Sequence, residues 1–174
     1  MTNAVKRIAV IGPESSGKSE LCRNLAAHYN TRWIPEYARE YLTAIARSYT
    51  FNDIIEIYKE QFRREQELIA SSSKYLFIDT EFIIAKVWCE SAFQCSSQYV
   101  EDMIDNYPYD LYLLTAPDLP WEYDPLRENP GKGDYFFNWY KTLLLQKGLK
   151  HAVVSGAGIT RIQNAISIME DQKW

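Results

Sequence analysis

The sequence lacks an excess of positive charge. Its 174 residues include 19 lysines and arginines against 23 aspartates and glutamates, for a formal net charge of -4 at pH 7. Proteins that hold duplex nucleic acid through its phosphates carry a basic patch or stripe, whereas charges of both signs are mixed along this chain. We therefore expect no nucleic-acid partner.

Long apolar runs and paired cysteines are also scarce. A membrane-spanning helix needs about 18 apolar residues in a row, and the longest candidate here is the short segment from Leu111 to Leu114. The three cysteines, Cys22, Cys89 and Cys95, have no metal-type spacing, and the N-terminus lacks a secretory signal. These absences predict a soluble, cytoplasmic protein that has no membrane partner.

The chain contains no internal repeat, no low-complexity tract and no flexible Gly/Ser linker. Hydrophobic residues make up 47% and charged residues 24% of it, as in ordinary globular proteins. One hydrophobic core typically serves about 100 to 200 residues. We expect a single domain over residues 1–174, whose oligomeric state the composition does not indicate.

Short β-type runs alternate with helical patterns along the chain. Residues 6–11, 75–78, 111–114 and 152–154 are typical of buried strands, and residues 32–34 form a fifth, shorter candidate. Parallel strands need helical crossovers that cover both sheet faces. The alternation therefore predicts a three-layer α/β/α fold with a parallel sheet of about five strands, with ligands bound at the strands' carboxyl ends.

Apolar periodicity also predicts individual helices. A helix is expected over residues 18–29, directly after the first strand, and another over residues 36–47. A long charged helix is expected to begin at Asn52 as its N-cap and to extend to about Ala70. Its inner stripe is apolar, and its outer face is expected to be solvated.

One motif carries a specific chemistry. The segment GPESSGKS matches G-x-x-x-x-G-K-S, in which glycines allow backbone N–H groups to surround phosphate oxygens at a helix N-terminus. Lys18 is expected to reach the β- and γ-phosphates, and the Ser19 hydroxyl to bind magnesium. The predicted site for ATP or GTP comprises Gly12, Pro13, Glu14, Ser15, Ser16, Gly17, Lys18, Ser19 and the following Glu20.

Three carboxylates are candidates for work beside the phosphates. Asp79 ends an apolar strand that is the best candidate neighbour of the first strand, so it is expected to hold magnesium directly or through water. Transfer of phosphate to a hydroxyl also needs an acceptor for its proton or hydrogen bond. Asp79, Glu36 and Glu81 are all candidates for that role, and the sequence does not choose among them.

The segment 116–133, here called the lid segment, is long for an unstructured connection and contains four prolines and two glycines. Arg127 within it is a candidate to stabilise charge on a transferring phosphoryl group, the alternative being a solvated loop arginine. Trp121 has no evident core to join, so stacking on a flat ligand is predicted. Glu36 and Arg39 are three residues apart and could face one cleft, or form a surface ion pair.

The combination of GPESSGKS, Glu36-Tyr37-Ala38-Arg39, Asp79-Thr80-Glu81 and Trp121-Glu122-Tyr123-Asp124 resembles the ribosylnicotinamide kinase domain of the NadR proteins. The order and approximate spacing of these motifs agree with that family from about Ile8 to the final helix. The resemblance implies the fold of P-loop nucleoside kinases. NadR proteins also carry an adenylyltransferase domain, whereas this chain starts only a few residues before its first strand. The kinase is therefore expected to stand alone.

The resemblance further implies ATP-dependent phosphorylation of the 5'-hydroxyl of nicotinamide riboside, giving nicotinamide mononucleotide for NAD salvage. It implies catalytic roles for Lys18, Asp79 and Arg127, with ATP and Mg²⁺ as cofactors. The substrate-binding residues that it implies are Glu36, Tyr37, Arg39, Glu81, Trp121 and Asp124. Two alternatives stay open: a kinase for another nucleoside or nucleotide, and a nucleotide-dependent switch that hydrolyses slowly.

Overall fold

A computed structural model describes residues 4–174 of the chain. Its centre is a sheet of five strands in the order β2-β3-β1-β4-β5, in which every strand pair is parallel. The strands are β1 (Lys6–Ile11), β2 (Arg32–Ile34), β3 (Tyr75–Asp79), β4 (Leu111–Thr115) and β5 (His151–Val154). The parallel five-stranded sheet predicted from the sequence is confirmed.

Helices connect the strands and cover the sheet. They are α1 (Lys18–His28), α2 (Tyr37–Ala44), α3 (Phe51–Ile69), α4 (Phe82–Phe93), α5 (Gln98–Asn106), α6 (Gly133–Gln146) and α7 (Gly158–Glu170). None of the helices within residues 4–174 is long and apolar enough to cross a membrane. The first three residues of the predicted domain 1–174 lie outside the described part of the chain.

Alternating side chains of the strands separate two hydrophobic cores. Ile8 and Val10 of β1 pack into the core that α1 and α7 cover. Ala9 and Ile11 pack into the larger core, to which α2 through α6 contribute. Because both faces of the sheet are buried, its central strands are apolar throughout, and the three-layer α/β/α fold is confirmed.

Several helix boundaries differ from the sequence prediction. Helix α2 covers Tyr37–Ala44 rather than residues 36–47. Glu36 precedes it as the N-cap residue, and Ala46 adopts a left-handed φ of 48° that no α-helix can continue through. Another difference concerns α6, whose start at Gly133 removes that residue from the predicted lid segment.

The predicted N-cap Asn52 is wrong, because the N-cap of α3 lies two residues earlier. Thr50 is the N-cap: its side chain accepts a hydrogen bond from the Asp53 backbone N–H, and the Asp53 carboxylate accepts the Thr50 N–H at 2.7 Å. This reciprocal pair is a capping box. Asp53 also pairs with Arg47 and accepts from Tyr41, and these bonds hold the pKa of Asp53 well below its usual range.

Replacing the two candidate cap residues should separate these assignments. We expect Thr50→Ala to lower the free energy of unfolding by about 1 kcal/mol, because the N-terminal N–H groups of α3 lose an acceptor. Asn52→Ala is the matched control and should change it by less than about 0.5 kcal/mol, since Asn52 is exposed inside the first turn. Urea unfolding of both variants provides the measurement, and equal losses would contradict the assignment.

Candidate active site

The connection between β1 and α1 is a tight loop that depends on two glycines. Gly12 has a φ of 152°, and a Cβ atom there would lie 2.0 Å from the Thr115 Oγ1 atom. Gly17 has a left-handed φ of 74° immediately before the first turn of α1. The loop backbone thus curls at the N-terminus of a helix, an arrangement whose N–H groups and dipole favour anions.

Side chains of the loop hold it in this shape. The Ser16 hydroxyl donates to the Pro13 carbonyl at 2.7 Å and lies 2.6 Å from the Thr115 hydroxyl. The Lys18 ammonium donates to the same Pro13 carbonyl at 2.8 Å. Thr115, at the buried end of β4, donates in turn to the Ile11 carbonyl at 3.1 Å. The neighbouring strand therefore fixes the loop that runs from Gly12 to Ser19, here called the phosphate loop.

Asp79 lies directly beside this loop, as predicted from its place at the end of a strand. Strand β3 pairs with β1 in a register that aligns Asp79 with Val10. The Ser19 hydroxyl donates a short hydrogen bond to Asp79 Oδ2. The other oxygen, Oδ1, is buried and has no hydrogen-bond partner among residues 4–174. An unpaired buried carboxylate oxygen is costly in a folded protein.

The surroundings of Asp79 disfavour its charge. Burial raises the pKa of Asp79 above its usual value, and the nearby Glu36 carboxylate raises it further. The Lys18 ammonium and the Ser19 hydrogen bond act in the opposite direction and lower it. Added positive charge at this point would therefore relieve both the desolvation and the repulsion between two carboxylates.

Glu81 has a different function in the fold. It is the N-cap of α4, and both of its carboxylate oxygens accept the Ile83 backbone N–H at 2.9 Å. The side chain is only 2% exposed, and burial raises the pKa of Glu81 to about 8. Its carboxylate therefore satisfies a helix terminus in the protein interior and does not line the cavity described below.

Gln61 joins the segments that carry Glu36 and Asp79. Its amide nitrogen donates to the Asp79 carbonyl at 2.8 Å and to the Thr80 carbonyl at 3.3 Å. Its amide oxygen accepts the Tyr37 N–H at 2.8 Å. Thr80 has a φ of 69°, which is strained for a β-branched residue. This buried glutamine in α3 thus supports a strained turn and fixes the separation of two candidate carboxylates.

The lid segment is tied to the phosphate loop by the loop's own side chains. The Glu14 carboxylate accepts the backbone N–H groups of Glu128 at 2.9 Å and Asn129 at 3.0 Å. The Ser15 hydroxyl accepts the Glu122 N–H at 3.0 Å. Two positions that the phosphate-binding motif leaves variable therefore hold the segment over the site.

A second set of contacts crosses from α2 to the lid segment. Arg39 pairs with Asp124 through Nη1 and Oδ2 at 2.9 Å. The Arg127 guanidinium donates to the Glu122 carbonyl within the segment itself. Arg39 is therefore paired with another predicted substrate residue, and its partner lies across the cleft and not beside it on the surface of α2.

A cavity of about 1310 Å³ lies between the phosphate loop, the lid segment and helices α2, α4 and α6. The predicted site residues that line it are Gly12, Glu14, Ser15, Ser16, Gly17, Lys18, Ser19, Glu20, Glu36, Arg39 and Arg127. Other predicted residues do not line it: Pro13, Tyr37, Asp79, Glu81, Trp121 and Asp124. The phosphate loop and the lid thus share one space, as the sequence predicts.

The residues that do not line the cavity have identifiable surroundings. Asp79 reaches the cavity wall through its hydrogen bond to Ser19. The Tyr37 ring packs beneath the Arg64 guanidinium, 4.2 Å from the ring centroid. Trp121 is 36% exposed and lies between Pro120 and Glu122, both of which line the cavity. Stacking of Trp121 on a ligand therefore stays a prediction.

Sequence reasoning missed the aromatic end of the cavity. Trp88 of α4 and Trp139 of α6 line it together with Tyr49 and Tyr135. The Tyr49 and Trp88 rings meet edge to face with centroids 5.1 Å apart. Helical periodicity alone makes such rings indistinguishable from core residues. Only the packing of α4 against α6 brings them to one surface.

The chain matches the family model described as AAA domain over residues 7–161. The NadR proteins of Salmonella typhimurium and Escherichia coli, each described as a trifunctional NAD biosynthesis/regulator protein, are 33% identical to it over 129 residues. These alignments cover 71% of this chain and 31% of each relative. The chain thus spans about a third of the length of the curated relatives that it matches.

Solved structures share the fold. A NadR protein in complex with NR superimposes with a TM-score of 0.85 at 23% identity, covering 98% of this chain and 52% of the other. A deoxyadenosine kinase from M. mycoides superimposes with a TM-score of 0.66 at 13% identity, covering 95% of this chain and 100% of the other. The resemblance to NadR that the sequence motifs indicate is therefore confirmed, and the chain belongs to the AAA domain family.

Proposed function

We propose that this protein transfers the γ-phosphoryl group of ATP to the 5'-hydroxyl of nicotinamide riboside and so forms nicotinamide mononucleotide. The observation that carries the proposal is a single cavity with a phosphate loop at one end and aromatic rings at the other. NadR relatives described as NAD biosynthesis proteins, and a NadR structure in complex with NR, support this choice of acceptor.

The size of the cavity supports two bound substrates. Pockets for one drug-sized ligand typically occupy about 300–1,000 Å³, whereas this cavity measures about 1310 Å³. A nucleoside triphosphate at the phosphate loop would leave room for a nucleoside beside it. A switch protein that binds only a nucleotide would have no need of the additional space.

Ser19 and Asp79 fit a magnesium ion. The fit rests on the buried Asp79 Oδ1 atom, which lacks a hydrogen-bond partner in the described chain, and on the adjacent Ser19 hydroxyl. Hydroxyl and carboxylate oxygens are the ligands that Mg²⁺ prefers. Magnesium held by these two residues would neutralise negative charge on the ATP phosphates. We accordingly assign Ser19 and Asp79 to the metal. We assign the backbone of Gly12–Ser19 to ATP.

Glu36 is the carboxylate that we assign to the acceptor hydroxyl. We assign Asp79, together with Ser19, to the metal, and Glu81 caps the N-terminus of α4. Glu36 instead lines the cavity at the end of β2. A carboxylate in this position can accept the proton of the attacking hydroxyl, or orient it by a hydrogen bond, as phosphoryl transfer requires.

Lys18 of the phosphate loop and Arg127 of the lid segment both line the cavity and supply positive charge to it. Lys18 lies on the first turn of α1, where it can reach the β- and γ-phosphates. Arg127 lies on the lid segment, which closes the cavity from above the phosphate loop. Charge that spreads over the transferring group is stabilised by such cations when water is excluded.

The acceptor is proposed to bind between α2, α4 and the lid segment. Trp88 and Trp139 provide flat apolar surfaces there, and aromatic rings stack well on planar ligands. Arg39 and Asp124, paired across the cleft, supply polar groups that could meet ribose hydroxyls. Tyr37 and Trp121 remain assigned to substrate only by the resemblance to NadR, whereas Glu81 is proposed to act structurally as the N-cap of α4. The cytoplasmic location inferred from the sequence also stays a prediction.

The acceptor assignment is tested by profiling nucleosides in an ATP-dependent coupled assay. We expect kcat/KM for nicotinamide riboside to exceed that for adenosine, thymidine or uridine by more than about tenfold, because pocket contacts differ in the transition state. Lys18→Ala should remove turnover with every acceptor. Equal activity with all four nucleosides would refute the acceptor, and ATP binding without any turnover would favour a switch.

Steady-state kinetics of three variants should distinguish the roles proposed for Glu36, Asp79 and Glu81. We expect Glu36→Gln to lower kcat by about 10²–10⁴-fold while the affinity for ATP stays within about twofold, since only the hydroxyl loses its acceptor. Asp79→Asn should also lower kcat, and it should raise the magnesium concentration required. Glu81→Gln is the buried control. It should lower the melting temperature of the protein and leave kcat within about threefold. Unchanged kcat in Glu36→Gln would exclude it as the acceptor.

Aromatic substitutions test which rings meet the acceptor. We expect Trp88→Leu to raise the KM for nicotinamide riboside by about tenfold, as loss of a stacking surface would, with the KM for ATP unchanged. Trp121→Ala should raise the same constant if the lid ring closes on the acceptor. Steady-state kinetics with each substrate varied provide the measurement. An increase in the KM for ATP in both variants would contradict the proposed position.

A further inference from the structure

Arg161 in α7 is almost completely buried, although it makes no contact that the proposed reaction requires. Its side chain is 5% exposed, and it lies beside a small second cavity of about 20 Å³ behind the phosphate loop. It does not line the main cavity. A buried guanidinium carries a large desolvation cost unless it is fully hydrogen-bonded. Its partners therefore indicate why it is there.

The guanidinium donates to three different loops. Its Nη1 donates to the Ser16 carbonyl of the phosphate loop at 2.9 Å. Its Nε donates to the Gly156 carbonyl, between β5 and α7, at 2.7 Å. Its Nη2 donates to the Ala116 carbonyl at 3.3 Å and forms a short ion pair with Asp118.

Asp118 completes this connection. Its second carboxylate oxygen accepts the Gly156 N–H at 2.6 Å. Ala116 and Asp118 are at the start of the lid segment, just after β4. The phosphate loop, the root of the lid segment and the β5–α7 loop are thus joined at one side chain with a planar, rigid set of donors.

The bond to the Ser16 carbonyl has a direct consequence for the phosphate loop. In a trans peptide the carbonyl and the following N–H point in opposite directions, and the described residues contain no cis peptide bond. Because the Ser16 carbonyl points at Arg161, the Gly17 N–H must point away from it. Gly17 also lines the main cavity. A charged donor on the carbonyl further polarises the peptide and strengthens its N–H as a donor.

We propose that Arg161 is a positioning residue that aims the Gly17 amide at the nucleotide phosphates and couples the phosphate loop to the root of the lid. This inference rests on the nucleotide-binding part of the proposed function and is independent of the acceptor. Lysine at this position would carry its donors on one nitrogen and could not reach all three loops, which Arg161 contacts through three different nitrogens. The effect should therefore depend on the phosphates of the ligand and not on its base.

The test measures ADP and adenosine binding to Arg161→Lys by competition against a fluorescent ADP analogue, so that only the nucleotide site is reported. We expect ADP affinity to fall about tenfold, as for loss of one charge-assisted hydrogen bond, and adenosine affinity to change less than about twofold. In kinetics, the KM for ATP should rise and the KM for nicotinamide riboside should stay within about twofold.

Arg7→Lys is the matched control. Arg7 is also largely buried and paired with Glu65, but it lies at the other end of β1. The Arg7→Lys substitution should lower the melting temperature of the protein without changing its affinity for ADP. If Arg161→Lys does not fold, Asp118→Asn should give a smaller loss with the same preference for ADP over adenosine. Equal loss for both ligands, or no loss in a folded variant, would overturn the proposal.

The two proposals fail in different ways. Absence of nicotinamide riboside turnover in the unsubstituted protein, with an ADP-specific loss in Arg161→Lys, would refute the acceptor and leave the role of Arg161 intact. Turnover with unchanged ADP affinity in Arg161→Lys would refute only the role of Arg161. An equal loss of ADP affinity in Arg7→Lys would show a general effect of stability and would also overturn it.

Discussion

The parallel pairing of β1 with both β3 and β4 is the constraint on which the site depends. Strand β1 is buried on both faces and runs directly into the phosphate loop. Its register with β3 brings Asp79 beside that loop, and its register with β4 brings Thr115 beneath Gly12. A one-residue shift in either register would exchange the two faces of the strand. The hydrophobic cores thus determine the position of the site's polar groups.

Burial of several carboxylates around this point costs stability, and the structure offsets it in different ways. Glu81 accepts a backbone N–H of α4, while Glu65 pairs with Arg7 and Tyr109. Asp79 retains one oxygen that no described residue satisfies. Charges interact more strongly in such a low-dielectric environment than in water. The structural carboxylates, Glu81 and Glu65, thus differ from Asp79 in that both of their oxygens have hydrogen-bond partners.

The lid segment is held by polar contacts from the phosphate loop, α2 and α7 and not by the hydrophobic cores. Glu14 and Ser15 bond to its backbone, and Arg161 bonds to its root. A connection without regular structure needs such partners, because its N–H and carbonyl groups are not satisfied by neighbours in a helix or sheet. Any movement of the lid segment must therefore be accompanied by changes at the variable positions of the phosphate loop. On the proposed function, these contacts would link phosphate binding to closure of the cavity.

Aromatic residues show how the same residue type can serve two uses. Phe82 of α4 packs into the larger core, whereas Trp88 and Trp139 form a wall of the cavity. All three are aromatic residues in helices, so helical periodicity does not distinguish them. The difference lies in the space between α4, α6 and the lid segment, which Trp88 and Trp139 line. Ring position relative to that space decides which aromatic is available to a ligand.

The sequence by itself determined the parallel α/β fold, the limits of β1 and β2, and the phosphate loop, because these depend on local periodicity and on a contiguous motif. It also indicated Asp79, since strand-end carboxylates meet at one edge of a parallel sheet. Only the tertiary structure distinguished Glu81 as a cap from Glu36 on the cavity wall, and only it brought Thr115, Gln61, Trp88 and Arg161 to the site. Their partners are distant in the chain, and no local pattern encodes a contact that strand register and helix packing create.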